Sequence, residues 1–537
     1  MSGQTTPPKP ARLTRVTQTC IIRRVMRVQI LAVGIFWVWL LACWPVSAAE
    51  TPARPLSLEE CIDLALSRNL DLQVERSLAE IARYALSSTY GSYDPNFTFR
   101  ALREHVDAPG DFDPHKFSPD FPYILRQDTL SAALEGKTPI GLSYTLGTRA
   151  GTKDASTDFN GDFGNANDFF FGIRNTNNAF ASADVTLRQH LLKDFWIDED
   201  RATIRVRQKQ LKMTEQALRF QVMRILLAVE LAYYDLIVAR QQVHVEEQSL
   251  DLNQQLVNET RRRVEVGDLP PLDAEQAETQ LQNTLTALAA TREVAGSREN
   301  TLKSLLTDDF RAWADMEVQP TDTLVAVPVS VNRSESFQQA LASRPDLAEA
   351  RLAVEKTAVN VQFRYNQLFP NLDLVGSYGD QGVKSGFSRA VGDAYMFREP
   401  DYAYGAVVSF PLANIAGRNQ YKESKAARQL AELQLKKAEQ SVFLQVADWV
   451  NRVQSRYSQV ASTRKARSYA EGALEAEQKK WKNGLSTPFF VLQAQETLTA
   501  ARSAEVLSLA DYNKALAQLG FAQGTSLQKF RINVQVK

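Results

Sequence analysis

From Ile197 to Val266 the chain runs without a proline, and about 70 residues of α-helix at 1.5 Å each would reach about 100 Å. No helix of that length is buried inside an ordinary globule. A second run of the same kind extends from about Gln420 to Asn483. Each ends at a glycine, Gly267 or Gly484, and shortly afterwards a proline, Pro271 or Pro488, stands where a first helical turn accepts one. The spacing therefore predicts a shorter helix of about 35 residues returning along each long one. Leu211, Thr214, Leu218, Gln221, Ile225 and Ala228, with Tyr233 and Leu236 further on, make a narrow apolar seam flanked by charge, the pattern of coiled-coil packing.

The two runs belong to a repeat that covers most of the chain. "ALSRNLDLQVER" (Ala65 to Arg76) aligns with "ALASRPDLAEAR" (Ala340 to Arg351) at an offset of 275, which also carries Pro95-Asn96 onto Pro370-Asn371. "GDLPPLDAEQAETQL" (Gly267 to Leu281) aligns with "GLSTPFFVLQAQETL" (Gly484 to Leu498) at an offset of 217. Since 275 less 217 leaves 58, the first half holds 58 more residues between the Pro-Asn step and the glycine turn. They are placed between about Arg100 and Phe180, where "TKDASTDFNGDFGNANDFFFG" is rich in Asp, Asn and Gly and reads as a surface loop.

Within each half a helix comes first. One is expected from about Ser57 to Tyr90, with Leu58, Ile62, Leu66 and Leu70 at helical spacing and a capping box from Ser57 to Glu60; its partner begins near Ser334. Pro95 and Pro370 close these helices, because proline lacks an N–H and pushes its predecessor toward extended backbone. Past each Pro-Asn the apolar period falls from about 3.6 to 2. Leu372, Leu374, Gly376 and Tyr378 share one face against Asp373, Ser377 and Gly379; Tyr402, Tyr404, Ala406, Val408 and Phe410 repeat the pattern. Phe97 and Phe99, Leu142 to Leu146, and Ala181 to Leu187 do so in the first half. Strands of nine to eleven residues with one apolar face suit a transmembrane β-barrel, although the strands alone also fit a sandwich with one wet face. The segment Asp128 to Gly151 either adds two strands to four per chain or folds as an extracellular flap.

The first 49 residues hold six basic residues and no acid, then an apolar run from Ile30 to Cys43 and a small-residue site at Val46-Ser47-Ala48. That is the layout of a secretory signal, and 14 apolar residues fall short of the roughly 20 a membrane span needs. A lipobox-like "LLAC" ending at Cys43 leaves lipidation as a second reading. Of 62 Lys and Arg against 62 Asp and Glu, removal of the segment leaves 56 against 62, a mildly acidic body with no basic block for nucleic acid. Cleavage would leave Cys61 alone, which excludes an intrachain disulfide and reads as a core residue. His105, His115, His190 and His244 show no metal-ligand spacing, and neither a phosphate loop nor a nucleophile motif occurs, so no enzyme and no cofactor is expected. Glu246-Glu247 and Arg261-Arg262-Arg263 are expected to be solvated helix faces.

From "LSLEECIDLALSRNLDL" to "NKALAQLGF", the duplicated order of helix, Pro-Asn strand, long helix and glycine turn resembles the outer-membrane efflux protein family, the TolC-like exit ducts. The resemblance implies an α+β membrane protein: a homotrimer in which each chain gives strands to one shared transmembrane β-barrel and helices to a long α-helical tunnel across the periplasm. It implies a passive outer-membrane channel, joined by a periplasmic adaptor to an inner-membrane pump. The expected divisions are a signal peptide at 1–48, a first repeat at 49–330 (inserted loop about 100–180, long helix 197–266, return helix 271–306), a second repeat at 331–521, and a tail at 522–537. In the family the hairpin tips meet the adaptor and close the tunnel. Here those are Val266, Gly267, Asp268, Leu269, Pro270 and Pro271, with Asn483, Gly484, Leu485, Ser486, Thr487 and Pro488. Where family members carry aspartates just after the second tip, this chain has Phe490 and Gln493, and only Asp273 keeps a carboxylate at that level. An acidic gate and an apolar one at Phe490 both stay open, as does core packing of Phe490. A lipid-anchored member and a periplasmic coiled-coil scaffold without a channel are the alternative functions.

Overall fold

The computed structural model describes residues 53–109, 111–113, 118–158, 173–398 and 400–532. The expected signal at 1–48, Cys43 within it, residues 159–172 of the expected loop and residues 533–537 of the tail lie outside them. In chain order, β1 (Ala53–Leu56) leads to α1 (Leu58–Arg68), α2 (Leu70–Thr89), a 3₁₀ turn at Tyr90–Tyr93, and β2 (Asn96–Ala108). The short strands β3 (Asp111–Asp113) and β4 (Ser118–Asp120) pair with each other, and β5 (Tyr123–Lys137), β6 (Leu142–Asp158) and β7 (Ile173–His190) follow. The first hairpin is α3 (Glu199–Glu265) with α4 (Pro271–Leu306), after which β8 (Glu317–Pro320) pairs in parallel with β1. The second half runs α5 (Arg333–Ser343), α6 (Pro345–Asn366), β9 (Asn371–Lys384), α7 (Phe387–Met396), β10 (Asp401–Ser409), α8 (Ile415–Lys482), α9 (Pro488–Gln523) and α10 (Ser526–Lys529).

Two expectations need correction. The helix expected from Ser57 to Tyr90 is broken at Asn69, whose backbone is extended and whose side chain accepts from Leu72 N at 3.2 Å, capping α2, while donating to Leu305 O at 3.0 Å. Arg344, just before Pro345, makes the corresponding break in the second half. A local cap and a tertiary hydrogen bond outweigh the helical periodicity on either side. The capping box itself is present, with Ser57 N donating to Glu60 at 3.0 Å and Glu60 N to Ser57 at 3.3 Å. Secondly, the stretch from about 100 to 180 is largely strand and not loop, since β5, β6 and the first residues of β7 occupy much of it.

All six long strands join one antiparallel sheet in the order β10-β9-β7-β6-β5-β2. Its register aligns a continuous row of Phe97, Leu134, Leu146, Val185, Tyr378 and Tyr402 across it. The next row, which points to the opposite face, is Thr98, Ala133, Gly147, Asp184, Gly379 and Asp401. Over the half of the sheet nearer the helices, period-2 alternation thus gives one apolar and one polar face, while farther out the Phe97 side carries the Arg103–Asp128 pair and Lys384. At the end of the apolar face farthest from the long helices, α7 buries Ala390 and Ala394 against Ala179 and Ala181. Gly382 lets it in, because a Cβ there would lie 2.4 Å from Ala390 O. Among the described residues no helix is long and apolar enough to cross a membrane.

The helical part is built from two antiparallel hairpins, α3 with α4 and α8 with α9, flanked by α2 against α3 and by α6 between α3 and α8. One core cluster gathers Cys61, Leu72, Leu226, Val229, Tyr233 and Leu302 where α1, α2, α3 and α4 meet. Another joins Leu347, Val446, Val450, Tyr512 and Leu519 around α8 and α9. Cys61 is fully buried, and burial pushes its thiol up to about 12. With a thiolate fraction of only about 10⁻⁴ at pH 8, the folded chain should resist alkylation at Cys61 until denaturant opens it. Mass spectrometry of the treated protein checks this, and rapid modification of the folded chain would refute it.

Candidate functional site

Both hairpins reverse at their far ends by the same device. In the first, Gly267 has φ +84°, Asp268 N donates to Arg263 O at 2.8 Å and Gly267 N to Val264 O at 3.1 Å. In the second, Gly484 has φ +73°, Leu485 N donates to Lys480 O at 2.8 Å and Gly484 N to Trp481 O at 3.0 Å. These are paired Schellman closures, which satisfy the last helical carbonyls and need a left-handed residue. A Cβ on either glycine would meet nothing within 4 Å, so backbone conformation and not space selects glycine. Leu269 and Pro270 then lead to Pro271 at the start of α4; Ser486 and Thr487 lead to Pro488 at the start of α9.

The first turns of the two return helices differ. Asp273 supplies an acid to the first turn of α4, where the helix dipole favours it, while α9 has none. Phe489 and Phe490 stand in its place, both about half exposed, with ring centroids 5.6 Å apart and planes at 74°. Phe490 is therefore not packed into the core of a single chain. Asp273 is half-buried and Gln493 exposed. Val266 and Leu485 are exposed at the extreme turns. Ser486 donates to Glu477, and that hydroxyl together with Lys480 holds the Glu477 carboxyl below its usual range.

The sequence reading passed over the contact that joins the tips. Arg263 lies with its guanidinium 4.4 Å from the centroid of the Trp481 ring, and its Nη1 donates to Trp481 O at 3.4 Å. Its Nε donates to Glu259 at 3.1 Å. Trp481 is buried among Leu256 of α3, Leu474 of α8, and Val491 and Leu498 of α9. A part-buried cation–π contact of this kind is worth about 1–2 kcal/mol, enough to hold one tip on the other. Arg261 pairs with Glu278 across the first hairpin. Arg261 and Arg262 are exposed, as a solvated helix face expects, and only Arg263 turns inward to a partner of the other hairpin. Its sequence signal was Trp481 itself, a lone aromatic in the lysine-rich "EQKKWKN" three residues before a turn glycine.

Pro95-Asn96 and Pro370-Asn371 sit at the opposite end, opening β2 and β9. There Asp194, at φ +63°, donates its backbone N–H to Asn366 Oδ1 at 2.7 Å, and its carbonyl accepts from Arg201 at 2.7 Å. His190 Nδ1 lies 2.6 Å from Asp373 Oδ1 at the same junction. Given the 67 residues of α3, the tips and the strand starts are separated by about 100 Å. Among the described residues no group of His, Cys, Asp or Glu is placed to hold a metal ion.

A sheet with an apolar and a polar side, standing on two long helical hairpins, is an arrangement suited to an outer-membrane channel. The chain belongs to the outer membrane efflux protein family, whose model matches residues 142–307 and 337–525. That family consists of channel and efflux proteins rather than enzymes, and it places the chain in the outer membrane. Among similar proteins, the pyoverdine export outer membrane protein OpmQ of Pseudomonas aeruginosa is 25% identical over 331 residues, covering 62% of this chain and 67% of its own. The outer membrane efflux protein BepC of Brucella suis is 24% identical over 324 residues, 60% of this chain and 67% of that one. In fold, the chain matches the crystal structure of CusC with a TM-score of 0.62 at 17% identity, over 87% of this chain and 92% of that one. The match to VceC of Vibrio cholerae has a TM-score of 0.61 at 18% identity, over 87% and 96%. The fold is that of the TolC-like ducts.

Proposed function

We propose that this protein is the exit duct of a tripartite export system, a homotrimer whose chains share one transmembrane barrel and one helical tunnel through the periplasm. In this reading an inner-membrane pump supplies the energy, and a periplasmic adaptor docks at residues 266–271 and 483–488. The signal at 1–48 is removed on export, the repeats at 49–330 and 331–521 arose by duplication, and 522–537 is a tail. The observation that carries the reading is the pair of matched, mutually clamped tips, which set exposed Val266, Leu485, Phe489 and Phe490 at one end of the hairpins. Exposed apolar groups at a tip are suited to meet copies of themselves or a partner. Similar proteins are named for pyoverdine, toluene and cation efflux, which fits a passive duct whose cargo is chosen upstream.

The gate lies at Asp273, Phe490 and Gln493, with Phe490 as its apolar constriction and Asp273 as its source of cation preference. Single-channel recording in planar bilayers tests this. Phe490→Ala is expected to raise conductance by about twofold or more and Asp273→Ala to reduce cation preference. Parent and variants that conduct identically would remove the gate assignment, and a trimer that never conducts would remove the channel.

A further inference from the structure

We propose that each chain contributes six strands to the barrel, so that three chains close an eighteen-stranded wall in place of the twelve that four strands per chain would give. This rests on the trimeric barrel proposed above and specifies its size. The residues responsible are those of the inserted hairpin, β5 and β6. By the offset of 275, β2 corresponds to β9; by the offset of 217, β7 corresponds to β10. The 58 extra residues therefore fall between β2 and β7, and the sheet order puts β5 and β6 there in space as well.

The inserted pair is built as wall and not as flap. Leu134 and Leu146 continue the apolar row from Phe97 to Val185 without a break in register. On the other face Glu135 and Thr145 continue the polar row from Asn96 to Thr186. A flap in water has no use for that alternation. Their lengths agree: 15 and 17 residues in β5 and β6, against 13 in β2 and 18 in β7.

The occupant of the open edges is a second copy of this chain. β2 and β10 lie at the two ends of the sheet, and β10 is exposed at every residue. In hydrocarbon no edge survives unpaired, because water cannot satisfy its N–H and C=O groups. β2 runs away from the helices and β10 toward them, so a junction between β10 of one copy and β2 of the next continues the antiparallel alternation. At a spacing of about 4.8 Å and a tilt of about 40°, eighteen strands give a wall about 35 Å across, against about 24 Å for twelve.

Cysteine scanning of the full-length protein in outer-membrane vesicles tests the proposal. Leu130→Cys and Leu146→Cys probe the apolar face of the inserted hairpin, Ser131→Cys and Thr145→Cys its other face, and Leu374→Cys on β9 serves as reference. With a membrane-impermeant maleimide, Leu130→Cys and Leu146→Cys are expected to react at least about tenfold more slowly than Ser131→Cys and Thr145→Cys, matching Leu374→Cys, because hydrocarbon excludes the charged reagent. Rapid reaction at Leu130→Cys and Leu146→Cys with a protected Leu374→Cys would overturn the six-strand wall and leave the barrel standing. Rapid reaction at Leu374→Cys as well would overturn the barrel itself. Native mass of the purified assembly fixes the copy number, and any number other than three overturns the count of eighteen.

Discussion

Tyr233→Ala is expected to destabilise the helical domain by about 3–5 kcal/mol, the cost of emptying a large aromatic site in a closed core. Tyr233 is fully buried in the cluster where α1, α2 and α3 meet. Its hydroxyl stands 2.8 Å from Asp322 Oδ2 and 3.0 Å from Leu56 O, and the same carboxylate accepts from Leu58 N at 2.8 Å. One side chain thus ties the β1–β8 ladder and the start of α1 to the middle of the long helix. Tyr233→Phe removes only the hydrogen bonds and should cost about 1 kcal/mol. Urea unfolding of the detergent-solubilised protein, followed by circular dichroism, separates the two. Equal midpoints for parent and Tyr233→Ala would show that this cluster does not hold the domain.

Lys529→Met is expected to be the next most damaging change, at about 1–3 kcal/mol near pH 8, since it strands the buried Glu230 carboxylate, while solvent around the half-exposed Lys529 keeps the loss below that of a fully buried pair. Glu230 is almost wholly buried in α3, and its carboxylate accepts from Lys529 of α10 at 2.5 Å. Burial raises the pKa of Glu230, and Lys529 opposes that rise without cancelling it. A carboxyl whose folded pKa lies above its unfolded value binds its proton more readily when folded. Stability therefore increases as pH falls from the folded value toward the unfolded one near 4.5, and decreases as pH climbs through that window. Without Lys529 the folded pKa rises further, so the deficit of Lys529→Met should shrink between about pH 8 and pH 5 while Glu230→Gln shows no such trend. Unfolding midpoints across that range read it directly. A deficit of constant size would mean that Glu230 is not ionised in the folded parent.

Much of the fold was legible because its signals are local. Period 2 after Asn96 and Asn371, the proline-free runs, and glycine followed by proline at each turn depend on neighbours a few residues apart. Family membership was legible for the same reason, being carried by the order of such signals. The break at Asn69 was not: the residues on either side keep helical spacing, and the deciding hydrogen bond goes to Leu305, 236 positions away. At the tips the turns were legible and the clamp was not. Nothing near Arg263 announces that Trp481, 218 positions on, will lie beneath it.

By itself, the sequence determined that this chain forms two long hairpins and amphipathic strands in a repeated order, because backbone propensity and apolar period act over one or two turns. The tertiary structure decided what stands beside what. On composition alone, residues 128–151 could have been extra strands or a flap; pairing of Leu134 with both Phe97 and Leu146 made them strands inside the sheet. Strand partners are chosen by hydrogen bonding and side-chain matching between distant segments, an energy that no single segment carries.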